Sequence, residues 1–287
     1  MFRLRNDRAF VWVLRAAALF SALVLVMIAV FLVGESLPAL RAIGPSRFFS
    51  DGSWHPAGLD SPTFDLRPAF AGTLLTAGGA LILAVPVGIL ATVFARFYAP
   101  RFLGIVFRRI VELLAGIPSV VYGLWGLTVL VPLIADVKLP GTSLLAGIVI
   151  LAIMVLPTIA LLVDAAFQNV SDEYLQASAA LGMSKFGTIT GVVFPLTWPA
   201  MLTASLLALA RALGETMAVL MVSGNVAQFP TSLFDPVRTL TANMALEMGY
   251  ALGIHRSALF VSGLILTVLV LGLVVIAERF AAERPYA

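Results

Sequence analysis

Arg211 and Glu215 are the residues of this 287-residue chain whose types and spacing point most directly to chemistry: they stand four apart inside an otherwise apolar stretch from Leu196 to Val222. Such a stretch exceeds the roughly 20 residues that carry a helix across the hydrocarbon core of a bilayer. Four apart on a helix is the same face, so the guanidinium and the carboxylate are expected to touch. Ala204, Ser205, Ala208, Ala212 and Ala218 fall on the charged side, with Leu202, Leu206, Leu209, Leu213 and Leu220 opposite. Small residues let membrane helices approach closely, which turns the charged side toward protein or a cavity. A buried arginine costs about 2.5–3.5 kcal/mol on insertion scales, and intramembrane charges mark ion or substrate pathways more often than scaffolding. The structural alternative is an ion pair locking two helices. Arg ahead of Glu is the weaker order for local helix support, which speaks against that motive.

Other chemistries find no residues. Cysteine is absent, which removes disulfides and thiolate metal sites. His55 and His255 lie apart without companion ligands and read as plain loop residues, so no metal is expected. No Gly-Lys dipeptide occurs, hence no phosphate-cradling nucleotide loop, and no G-x-S-x-G elbow for a serine hydrolase. The chain is not expected to be an enzyme or to hold a cofactor.

Behind these residues stands a membrane composition: 61% hydrophobic and 11% charged, against about 25% charged for an average soluble domain. Apolar runs long enough to span cover 10–33, 70–95, 113–134, 141–163, 196–222 and 257–277, which predicts an all-α protein with six transmembrane helices. The first run is too long for a signal-peptide core and carries Arg15, so it reads as a retained helix. With the N-terminus in the cytoplasm, ten Lys/Arg flank the spans inside and six outside, which favours both termini being cytoplasmic. The net charge of +3 is too small and scattered to suggest nucleic acid.

Two connections stand out. Residues 34–69 carry Pro38, Pro45, Pro56, Pro62 and Pro68, a density that rules out a continuous helix and predicts an irregular outside loop. The loop 164–195 is long for a helical bundle. Ser171 or Asp172 is placed to cap a helix running to Leu181, and Gly182 to end it. That Ala-rich helix suits a groove of another protein. Arg96, Arg101, Arg108, Arg109 and Glu112 form a basic segment expected at anionic headgroups.

The long loop resembles the signature of bacterial ABC importer permeases, E-A-A-x3-G-x9-I-x-L-P. Gln176, Ala177, Ser178 and Gly182 hold its first positions, and Val192, Phe194 and Pro195 follow at the same spacing, with Gln in place of Glu and Ser in place of the second Ala. Ile117 to Leu127 and Arg211 to Val219 are similar to the phosphate importer permeases of the PstC type. The resemblance implies a type-1 (MetI-like) permease core over 70–280, after an N-terminal helix and periplasmic loop at 1–69. It implies a bacterial inner-membrane complex with a second permease of the PstA type, two PstB-type ATPases and an external PstS-type phosphate-binding protein. The 171–195 segment would seat in the ATPase through Gln176, Ala177, Ser178, Gly182 and Pro195. Arg211 would offer phosphate a bidentate donor fork, with Glu215 neutralising it when the path is empty. A permease for another solute, and a sensory helix bundle, are the alternative readings.

Overall fold

Inside a bilayer, backbone groups find no water and must be satisfied within the segment, so apolar runs of this length fold as helices. The computed structural model describes residues 3–58 and 62–282. Among the described residues, five helical stretches are long and apolar enough to cross a membrane: Phe10–Ile43, Arg67–Tyr98, Leu144–Gln168, Lys185–Leu213 and Gly253–Arg279. A bent pair, Arg101–Ala115 and Ser119–Ala135, turns by 95° at its break and brings the number to six where it is taken as one span.

The elements run α1 (Arg3–Ile43), α2 (Arg67–Val93), α3 (Arg101–Ala115), α4 (Ser119–Trp125), α5 (Val131–Ala135) and α6 (Leu144–Gln168). Then come α7 (Asp172–Ala180), α8 (Lys185–Thr188), α9 (Phe194–Leu213), α10 (Met217–Val222), α11 (Leu240–Glu247) and α12 (Gly253–Ala282). Single π-helical turns extend α2, join α4 to α5, and join α8 to α9.

The core is built around α6. Ile150, Leu151, Val155, Ile159 and Val163 are all at most 1% exposed. Ala77, Ala80 and Ala84 of α2 and Ala204, Ala208 and Ala212 of α9 belong to the same buried cluster. Alanines at spacings of three and four give each helix a small-residue stripe, which is what close packing without a hydrophobic driving force requires.

Two expectations are corrected. The prolines of 34–69 do not end the first helix at the membrane: α1 continues through Pro38 to Ile43. One missing backbone bond is outweighed by burial, because Ala39 just beyond it is fully buried with Phe48, Leu66, Leu240 and Leu259. Other described residues of that loop also take regular structure. Strands β1 (Trp54–His55) and β2 (Thr63–Phe64) pair antiparallel. Asp65 accepts the Gly52 N–H at 3.0 Å and the Arg67 guanidinium at 2.6 Å. Burial pushes the Asp65 carboxyl up, but the Arg67 hydrogen bonds and charge, together with the Gly52 N–H, outweigh it and hold the group below its ordinary value.

The second correction concerns 196–222, which is not one helix. Helix α9 stops at Leu213, Gly214 follows as its cap, and α10 starts afresh at Met217. The break is satisfied by side chains: Glu215 Oε1 accepts the Ala218 N–H at 3.1 Å, and Thr241 Oγ1 donates to the Glu215 carbonyl at 2.9 Å. Backbone groups freed by a break are tolerated where neighbours re-satisfy them.

Candidate functional site

The break brings together two stretches that are far apart in the chain. Pro118 is the N-cap of α4, and the helix it opens packs on α10. At Gly123 the approach is so close that a Cβ would lie 2.9 Å from the Ala218 Cα and 2.9 Å from the Met221 sulfur. The Ile117–Leu127 and Arg211–Val219 stretches therefore form one structural unit.

Within it the two charges do not pair. Arg211 is exposed in the last turn of α9, while Ala208 and Ala212 beside it are buried. The small-residue stripe packs inward and the guanidinium points out, so the expected shared face does not exist. Glu215 lies beyond the helix end, engaged with Ala218. A cation in the final turn complements the negative end of the helix dipole. The guanidinium's donor fork is therefore not occupied by the Glu215 carboxylate.

At one end of this unit lies a polar network whose residues the sequence left unconnected. Trp54 Nε1 donates to Glu247 Oε2 at 2.9 Å, and His255 Nε2 bonds the same oxygen at 2.8 Å. Arg238 reaches Glu247 Oε1 at 2.6 Å, Asn243 Oδ1 at 3.0 Å and the Asn225 carbonyl at 2.8 Å. His255 is thus not a plain loop residue: it sits in the first turn of α12 and ties that helix to α11. His55 lies in β1 and has no part in the network. Among the described residues no group of His, Asp and Glu could hold a metal ion. The network joins β1, α11, α12 and the loop before α11. Charge and spacing offered no signal for it, since Trp54 and Glu247 are 193 residues apart.

At the other end, the loop after α6 folds as the sequence indicates. Helix α6 runs on to Gln168, past the expected start of the loop. Ser171 caps α7, accepting the Glu173 N–H at 3.3 Å, and Gly182 turns the chain with φ +70°. Gln176 and Ala177 lie exposed on α7, and Pro195 is exposed at the start of α9. Ser178 differs: it is 3% exposed, donates to the Leu175 carbonyl at 2.8 Å and bonds Thr188 Oγ1 at 3.2 Å. Its work is internal, holding α7 against α8. Leu181 and Phe186 stand 81% and 69% exposed at the tip. A cavity of about 760 Å³ opens beside this loop, between Tyr174, Pro195, Thr203 and Leu162.

These features match a known group of proteins. Residues 84–282 match the family model described as binding-protein-dependent transport system inner membrane component. The chain is 36% identical over 282 residues to the probable ABC transporter permease protein YqgH of Bacillus subtilis, covering 95% of this chain and 90% of that protein. It is 35% identical over 295 residues to the phosphate transport system permease protein PstC of Xylella fastidiosa, covering 96% and 90%. Among solved structures, a bacterial ABC transporter involved in the import of the acidic polysaccharide alginate superposes with a TM-score of 0.66 at 17% identity, over 98% of this chain and 99% of that one. The MetNI methionine ABC transporter in inward-facing form gives 0.57 at 21% identity, over 76% and 93%. The latter two likenesses speak to fold alone. By sequence and fold together, the chain belongs to the family of binding-protein-dependent transport system inner membrane components.

Proposed function

We propose that the chain is the PstC-type permease subunit of an ATP-driven importer of inorganic phosphate. The observation that carries this reading is the 35% identity to a PstC permease over 96% of the chain. A second permease of the PstA type, two PstB-type ATPases and a PstS-type binding protein complete the complex in this reading. Energy comes from the ATPases, because this chain has no nucleotide loop of its own. Residues 171–195 seat in the ATPase, with Leu181 and Phe186 as the apolar contact.

Arg211 meets the anion. Its fork suits phosphate oxygens bidentately, and its exposure in the single chain leaves it open to a path shared with the second permease. Glu215 is assigned a different task from charge balancing: it caps α10 and so holds the break on which Arg211 stands.

Phosphate uptake by reconstituted complexes, normalised to assembled complex, tests this. Omission of the subunit should abolish uptake. Arg211→Gln should abolish it without loss of assembly, and Arg211→Lys should rescue poorly because it keeps charge but loses the fork. Glu215→Gln should be mild, since an amide oxygen still accepts the Ala218 N–H. Near-normal uptake by the Arg211→Gln, Glu215→Gln double variant would remove Arg211 from the path.

Both termini are placed in the cytoplasm, on the ten-to-six Lys/Arg asymmetry. The Cys-free chain makes the check simple: Met183→Cys should resist an impermeant thiol reagent in intact cells, and labelling there would invert the orientation.

A further inference from the structure

A second basic site lies away from Arg211, where α2 ends and α3 folds back toward α6. A cavity of about 390 Å³ opens there, lined by Arg96, Arg101, Arg108, Thr92 and Asp164 among others. A void of roughly 10–15 Å³ already holds a water, so this one admits a substantial polar group. Its charges are unbalanced. Asp164 is shared between Arg96 and Arg108, each at 3.3 Å, and it also accepts from Gln168 at 2.6 Å. Arg108 also bonds Glu112 at 3.0 Å, a carboxylate it shares with Arg109. Arg101 makes no salt bridge among the described residues, so the three lining guanidiniums still outnumber the carboxylates that reach them. The backbone is shaped to keep the pocket tight: a Cβ on Gly104 would lie 2.8 Å from the Ala95 carbonyl oxygen.

The helix beside the cavity has the wrong surface for water alone. Along α3, Phe102 and Leu113 are each 73% exposed, with Ile105 at 54%. The same helix carries Arg101, Arg108 and Arg109, and it is bent 95° away from the crossing that follows it. An amphipathic helix with basic residues, set across the direction of a span, lies in the plane of the interface with its apolar side among acyl chains.

We propose that this cavity seats the phosphate of an anionic phospholipid, with Arg96, Arg101 and Arg108 around the headgroup and the exposed apolar residues of α3 against its chains. Phosphate chemistry alone would also suit a free anion. The apolar surface continuous with the pocket favours the lipid. Guanidinium forks bind phosphate oxygens in pairs, and basic residues near an anionic leaflet each add about 1 kcal/mol of attraction. The site owes nothing to the transported solute, so it stands whatever that solute is.

Native mass spectrometry of the assembled complex, titrated with phosphatidylglycerol or with phosphatidylethanolamine, tests the assignment. Phosphatidylglycerol should be retained preferentially. Arg101→Gln should weaken that retention roughly fivefold, whereas Arg109→Gln, on α3 but not lining the cavity, should leave it unchanged. Arg101 is exposed and unpaired, so its replacement leaves the fold intact, and an unchanged melting temperature verifies this. Equal retention by wild type and Arg101→Gln overturns the proposal. Displacement of the lipid by millimolar inorganic phosphate assigns the pocket to a free anion and overturns it too. So does lipid binding that appears only after the ATPase subunits are stripped away, because the arginines would then belong to a protein interface.

Discussion

Gly123 of α4 and Ala218 of α10 are packed backbone to backbone, with no room for a methyl group on the glycine. This contact holds the short helix after the break against the crossing that begins at Pro118. Gly123→Ala should force the helices apart and cost about 1–3 kcal/mol, the usual range for overpacking, with uptake falling as Arg211 moves off register. Gly34→Ala, a helical glycine with nothing within 4 Å of its would-be Cβ, should be neutral or slightly stabilising. Thermal midpoints of the two purified variants make the comparison, and equal midpoints would remove the contact from any structural role.

The network around Glu247 should behave as a unit. Glu247 is 8% exposed by side chain and Arg238 19%, so removing the carboxylate leaves a largely buried guanidinium without its counter-charge. Glu247→Ala should cost about 3–5 kcal/mol. Trp54→Phe, which strands one acceptor bond, should cost about 1–3 kcal/mol. The double variant should cost less than the sum, because both act on the same oxygen. Chemical denaturation of the three variants checks this; strict additivity would show that Trp54 and Glu247 stabilise the fold independently.

Gly182 separates conformation from space. Nothing lies within 4 Å of a Cβ built there, yet its φ is +70°. Gly182→Val should therefore strain the turn by about 1–3 kcal/mol and loosen the tip that carries Leu181. Gly182→Asn should be tolerated, since asparagine visits the left-handed region. Under the proposed coupling role, co-purification of the ATPase should fall for valine and hold for asparagine. Similar retention of the ATPase by both would remove the turn from the docking surface.

How much of this was legible beforehand depends on the range of the interaction. The Ser171 cap, the α7 helix and the Gly182 turn are decided within a dozen residues, and the sequence was enough to read them. Five of the expected spans were also legible, because hydrophobic length alone sets them, and the run at 113–134 is met by the bent pair around Pro118. The break at Gly214 was not. A glycine between two apolar runs is tolerated in a membrane helix, and what tips the balance is remote: the Thr241 hydroxyl on the Glu215 carbonyl and the Gly123 groove for α10. Missing that break produced the mistaken Arg211–Glu215 pairing. Pro38 was misread for the same reason, since the burial of Ala39 against Leu240 and Leu259 is invisible from the local run.

The uneven burial of the crossings has a consequence for how this chain tolerates change. In its most apolar 18-residue window, α6 is 67% buried, whereas the window of Phe10–Ile43 is 0% buried. Around α6 nearly every side chain must match a neighbour's shape, so substitutions there are judged one by one against volume. Over Phe10–Val30 of α1 nearly every side chain is exposed, a surface suited to fluid acyl chains. There, leucine, valine, phenylalanine and isoleucine are interchangeable, and only total hydrophobic length is under constraint. One chain thus holds two kinds of helix, one written letter by letter and one written only by its mean.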